Sequence, residues 1–319
     1  MCTTCVGVSQ PGVVGFHARP ALALLCLVVA CEAGEKPAPP AAAKPSANKV
    51  TVVAEPSLKY LPADSDIVVQ ADLRMLRKSA LWTTYADDVA KLIVPGFTGC
   101  EYKLLADATS ASIAATIITK NAVYVLRGVD RDKALRCLRT RAPGPWTARF
   151  DGDFVEVKSS SATYMLTFVD DTTLVMQGPT QPTKATLTQV VQTGSPLAHD
   201  VALAVPMQKL PKAAVTVVSR PGSEAVAAQW KAMGVHFKYF FGTMDATDKL
   251  ALRFAMALQS ADEATQLTTM MQGQVKQLKT MFERIEPSAQ GEITMIDMGM
   301  TQAQLASIAG MMRGMQGAQ

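Results

Sequence analysis

Hydrophobic and polar positions divide the chain into an apolar run, a polar proline-rich stretch and a long series of strand-like and helix-like segments. Residues 67–73 predict a strand centred on Val68 and Val69. Trp82, Tyr85, Val89 and Leu92, three and four apart, predict a helix that Pro95-Gly96 stops. Strands over 112–119 and 122–127 turn at Lys120-Asn121, and Asp130 caps a helix through Arg139 with Ala134, Leu135 and Leu138 inward. Residues 154–158, 164–169 and 173–177 predict a meander with its last turn at Asp170-Asp171. A helix near 183–192 follows, then a second helical stretch to Leu210.

The order then recurs in outline. Leu210-Pro211 precedes a strand over 213–219, as Leu61-Pro62 precedes Ile67. Ser223 caps a helix that ends at Gly234 and carries Val226, Trp230 and Met233 on one face. Residues 236–243 and 249–258 predict a hairpin in which Leu250, Leu252, Phe254, Met256 and Leu258 share one face. Ser260-Ala261-Asp262-Glu263 is a capping box. The stripe Ala264, Leu267, Met271, Val275, Leu278, Phe282 and Ile285 extends its helix to Pro287. A strand over 292–298 and a last helix capped at Thr301, with Leu305, Ile308, Met312 and Met315 inward, complete the pattern. The expected fold class is α+β: antiparallel sheets with helices packed on one face, in two related βαββαβα-like halves, 58–209 and 210–319.

Upstream, Arg19-Pro20 leads into an unbroken apolar run, 21–30, that ends in Val28-Val29-Ala30-Cys31. About ten residues at ~1.5 Å each cover roughly half of a ~30 Å hydrocarbon core, too short to span it. The four-residue end resembles the lipobox of bacterial lipoproteins. The resemblance implies that residues 1–30 are a signal peptide and that the Cys31 thiol takes a diacylglycerol. Cleavage before Cys31 then makes it the first mature residue, held to a membrane by two or three acyl chains. Initiation at Val13 or Val14 would give the short leader usual in such signals. Residues 31–57 follow as anchor cysteine and Pro/Ala/Lys-rich linker, a composition that favours extended, semi-rigid backbone.

Composition narrows the reading. Removing residues 1–30 takes away one Arg and no acid, so the net charge passes from +4 to +3, with no basic, aromatic-interleaved patch for nucleic acid. Of the six cysteines, Cys2, Cys5 and Cys26 leave with the signal and Cys31 carries lipid, so Cys100 and Cys137 remain. Two thiols in an exported chain predict a disulfide; the alternative is two buried free thiols. Catalytic motifs are missing: there is no His-Glu-x-x-His, Gly-x-Ser-x-Gly or phosphate-cradling glycine loop. His199 and His236 are isolated, and Asp87-Asp88 and Asp170-Asp171 are adjacent carboxylates expected to face solvent. The C-terminal methionines, Met295, Met298 and Met300 among them, suit core filling, an apolar ligand groove or a soft metal. No catalytic residue, metal site or cofactor is expected.

The lipobox, the opening Leu61-Pro62-Ala63-Asp64-Ser65-Asp66 and the cysteine pair together resemble α+β envelope lipoproteins of Gram-negative bacteria with large genomes, myxobacteria among them. The resemblance implies no activity. The leading expectation is a non-enzymatic binding or structural role in the cell envelope, anchored through Cys31 to the outer or inner membrane, with another envelope protein or an apolar ligand as candidate partner. The alternative is a carrier of an apolar ligand in a Met-rich cavity, and a third is an envelope hydrolase without a recognisable motif.

Overall fold

The β-branched run Ile67-Val68-Val69 forms β1 (Ile67–Asp72), near the middle of a single twelve-stranded antiparallel sheet. This computed structural model describes residues 56–304 except 63–64, 98, 117–118, 142–143, 194–212, 221–230, 232–233, 247–248, 279–281 and 302. All lie in one compact unit, Ala47–Ala306. The expected signal, Cys31, most of the expected linker, the stretch to Leu210, most of the helix expected after Ser223, and the helix expected beyond Gln304 lie outside the described residues.

After β1, the Asp72 carboxylate accepts from the N–H groups of Arg74 (2.9 Å) and Met75 (3.2 Å) and starts the single turn α1 (Leu73–Leu76). Ser79 caps α2 (Ala80–Ile93) by accepting from Trp82 N–H at 3.2 Å. The turn α3 (Leu104–Asp107) leads into the hairpin β2 (Ser110–Thr116) and β3 (Asn121–Arg127), and Asp130 caps α4 (Arg131–Thr140). A four-stranded meander follows: β4 (Thr147–Asp151), β5 (Phe154–Lys158), β6 (Thr163–Phe168) and β7 (Thr173–Gly178). Next comes α5 (Lys184–Thr193). The second half contributes β8 (Val215–Ser219), β9 (Phe237–Asp245), β10 (Leu250–Leu258), α6 (Ala261–Leu278), β11 (Arg284–Gln290) and β12 (Ile293–Met300).

The strand order is β11-β12-β10-β9-β8-β1-β2-β3-β7-β6-β5-β4. The halves therefore share one sheet, a point the sequence leaves open. The join is β1–β8, with Val68 opposite Val218 and Val69 opposite Val217. From that join the order runs outward alike on both sides: a strand, a hairpin, then a strand reached through a helix.

Helices α1 to α4 cover one face of the first half. Their Leu73, Leu76, Ile93, Leu104, Ala134 and Leu138 pack on Leu126, Leu166, Leu174 and Met176. Helix α6 lies on the same face: buried Thr294 of β12 donates to Ala264 O (2.9 Å) and accepts from Thr268 (3.3 Å). The expectation of helices on one face alone fails at α5. On the opposite face its Leu187 packs with Val68, Val123, Val125, Val175 and Val218, beside the 3-10 turn Pro56–Tyr60. The reason is visible in β7, whose six residues are all buried. A strand buried on both of its faces has cover on both sides. Ser57 is already 1% exposed and hydrogen-bonds Ser112 at 2.8 Å, so the folded part begins inside the stretch expected to be linker.

The expected helix to Ile285 is also corrected. Helix α6 ends at Leu278, and Ile285 and Pro287 belong to β11. Pro287 reads as a helix stop, yet β11 is an edge strand, where a residue without N–H costs no ladder bond. Strand β4, five residues long, is not foreseen in the sequence although its polar and apolar residues alternate.

Gly178 fits where no side chain does. A Cβ there would lie 2.5 Å from Tyr164 Cδ1 and 2.6 Å from Thr163 O. Gly178→Ala should destabilise the fold by about 1–3 kcal/mol through overpacking, measured as a lower urea midpoint at constant slope. An unchanged midpoint would show that β6 yields freely.

Candidate functional site

Three places concentrate chemistry: a disulfide junction, an ionic cluster beside it, and a histidine–glutamate pair on the other half. At the first, the 3-10 turn Pro95–Phe97 delivers Cys100 to the inner face of α4, where Cys137 lies between Ala134 and Leu138. The two cysteines are bridged, with Cα atoms 5.6 Å apart, and both are buried. Arg141, which follows α4, donates to Gly96 O at 2.9 Å, and burial lowers the pKa of its guanidinium. The closed loop of 37 residues contains α3 and the β2–β3 hairpin. The chain-entropy model gives such a loop roughly 3–4 kcal/mol.

Beside it, the Tyr102 hydroxyl accepts from Asp130 N–H at 3.1 Å. The Asp130 carboxylate accepts from Lys133 N–H at 2.9 Å, a bond that holds its pKa below the ordinary value. The Lys133 ammonium lies 3.5 Å from Asp130 and 3.9 Å from Asp107. Burial pushes the Tyr102 phenol up to about 12, and the nearby Asp107 and Asp130 charges push the same way. This arrangement fixes the start of α4; its tyrosine is a hydrogen-bond acceptor held neutral.

His236 precedes β9. Its Nδ1 is 3.1 Å from Glu263 Oε1, and its backbone N–H donates to Glu263 Oε2 at 3.2 Å. Ser260 caps α6 by accepting from Glu263 N–H (3.2 Å), while the Glu263 carboxylate serves β9. The pair thus ties the first turn of α6 to the hairpin. An imidazole oriented by a carboxylate is half of a relay, but among the described residues the ring's hydrogen-bond partner is Glu263. His199 lies outside the described residues.

The acid pairs occupy solvent positions. Asp87 is exposed on α2, 3.7 Å from Lys103. Asp170 closes its turn by accepting from Thr172 N–H (2.8 Å) and Oγ1 (3.0 Å). Burial raises its pKa, but hydrogen bonds from Thr172 and Thr173 outweigh that and hold it low. The methionines are divided by pleat. Met298 and Met300 are buried on the α6 face of β12, with Met256 and Met271, while Met295 points to the other face. Among the described residues no three His, Cys, Asp or Glu side chains gather as a metal site. No helix among them is long and apolar enough to cross a membrane. On the Met295 face, Arg253 makes two bonds to Asp297, at 2.6 and 3.2 Å, and its pKa rises accordingly.

A scan of protein-family models finds no match, and neither does a search of curated proteins. Solved structures do match. Crystal form I of TP0453 superimposes with a TM-score of 0.54 at 8% identity, covering 82% of this chain and 98% of that one. Crystal form III gives 0.51 at 9% identity with the same coverage. At such identity the likeness is one of fold.

Thiol labelling of the unfolded, unreduced chain should leave Cys100 and Cys137 unreactive until reductant is added. Cys100→Ser or Cys137→Ser should lower the melting temperature by several degrees. Labelling at Cys100 and Cys137 before reduction would rule out the bridge. At alkaline pH the raised Tyr102 pKa has a definite sign. The unfolded chain ionises first, so the stability of the neutral phenol is whole below about pH 10 and is lost as pH rises toward about 12. Tyr124 and Tyr164 shift the same way through burial. Tyr102→Phe should therefore shallow the alkaline loss, and an unaltered profile of urea midpoint against pH would refute the assignment.

Proposed function

We propose that this chain is an exported protein held at the cell envelope by lipid on Cys31, with a non-enzymatic binding or structural role. The observation that carries the reading is the run ending Val28-Val29-Ala30-Cys31 with a proline-rich tether behind it. The Cys100–Cys137 bridge supports it independently, because structural disulfides belong to oxidising compartments outside the cytosol. At ~3 Å per residue, the extended tether holds the sheet some tens of ångströms from the membrane. The outward-matching strand order supports reading 58–209 and 210–319 as two related halves.

The carrier alternative fares less well. The methionines that suggested a cavity are themselves core: Met256, Met271, Met298 and Met300 are 7%, 7%, 6% and 0% exposed between α6 and its strands. They occupy the place an apolar ligand would take.

Intact mass spectrometry of the mature chain should find acyl groups on an N-terminal Cys31, and membrane fractionation should assign the protein to the inner or outer membrane. Cys31→Ser should abolish the lipid and leave precursor or a soluble form. A wild-type chain without lipid on Cys31 would overturn the proposal.

A further inference from the structure

We propose that strand β4 pairs with β4 of a second copy of this chain, antiparallel about a two-fold axis at Phe150, so that two sheets become one. The ladder bonds show how each edge presents its backbone. Ser159 N–H donates to Ala162 O (2.8 Å) in the β5–β6 hairpin, and Val169 N–H donates to Thr173 O (3.1 Å) in the β6–β7 hairpin. Followed along the registers, both alternations turn the peptide groups of Phe154, Glu156 and Lys158 toward β4. Their partners Asp151, Arg149 and Thr147 turn back to meet them, so Ala148 and Phe150 direct N–H and C=O away from the sheet.

The other edge is closed to such pairing. Leu258 N–H donates to Glu292 O (2.8 Å), and the alternation that follows leaves Ile285, Pro287 and Ala289 outward on β11. Pro287, at the centre, has no N–H to give. Strand β4 carries no such guard.

Charge selects the partner and the register. Thr147, Arg149 and Asp151 are exposed on one face of β4; Phe150 is half-buried on the other, beneath the Arg139 guanidinium at 4.8 Å. Three self-pairings keep Ala148 and Phe150 in the hydrogen-bonding positions. One sets Arg149 against Arg149 and is disfavoured by like charge; a second sets Ala148 against Ala148 and each Arg149 against a neutral Thr147. The third sets Phe150 against Phe150 and each Arg149 against Asp151 of the second copy, two opposite-charge pairs related by the axis. Asp151 also meets Lys184 at 3.1 Å, yet remains 69% exposed and open to a second cation. With the axis at Phe150 only residues 149–151 of each β4 lie opposite one another, too little for a permanent complex, so the dimer is concentration-dependent.

Sedimentation velocity of the full chain over a concentration series tests this. The wild type should pass from monomer to dimer with rising concentration. R149D, which sets a carboxylate against Asp151 of the second copy, should weaken association about tenfold, and R149D/D151R should restore it. A148P, which copies the Pro287 guard at one outward position, should weaken it. Circular dichroism on each variant separates lost pairing from lost folding, since the exchanged charges are exposed. A wild type that stays monomeric throughout, or an R149D/D151R chain no better than R149D, would overturn the proposal.

Discussion

The fold depends on the pairing of β1 with β8. Strands from residues 67 and 215 meet across about 150 residues of chain, and their Val68–Val218 and Val69–Val217 pairs make two half-sheets into one. Contacts so distant in sequence cost loop-closure entropy before they return any burial. What offsets that cost is the apolar layer on the α5 face. Val68 and Val218 are fully buried there, with Tyr60 and Leu61 from the entering chain and Leu187 from α5. The first half supplies most of this layer, and the second closes it with Val218 and the partly buried Phe241.

Covering a sheet on both faces leaves its two edges to be managed separately. Strand β11 closes one with Pro287 and charged residues. Buried polar groups elsewhere find partners: Thr294 and Thr268 join α6 to β12, and Ser57 and Ser112 join the entering chain to β2. These bonds are short-range and directional, and they set the position of each covering element where apolar contact alone would let it slide.

Much of this was legible in the sequence, and what was not follows from context. Helix starts were readable because caps are local: Asp130 and Ser260 make their N-cap bonds within three residues. The hairpins were readable because side-chain alternation and turn residues coincide. Ile285 and Pro287 misled because Phe282 and Ile285 continue a helical spacing, and only the edge position of β11 makes proline harmless there. The faces of β10 were half right. Leu250 and Leu252 are buried as the alternation requires, but Ala255 and Ala257 on the other face are buried too, beside Phe241, Tyr239, Met295 and Ile293 in register. Alanine is small enough for its neighbours to hide it, which no period-two pattern reveals. Of the candidate chemistry, the Cys100–Cys137 bridge was inferable by counting. The His236–Glu263 pair was not, since 27 residues and a hairpin separate its members.

The burial of Ser57 against Ser112 bears on how the protein responds to tension. A pull applied at Pro56 reaches the sheet at its middle, through Pro56–Tyr60 and then β1, which is laddered to β2 on one side and β8 on the other. Force directed along a strand bonded on both flanks loads two ladders together in shear, whereas an edge strand would peel one bond at a time. Forced unfolding is governed by the unfolding barrier. Entry of the chain at β1 therefore loads a strand bonded on both flanks, with the edges β4 and β11 away from that point.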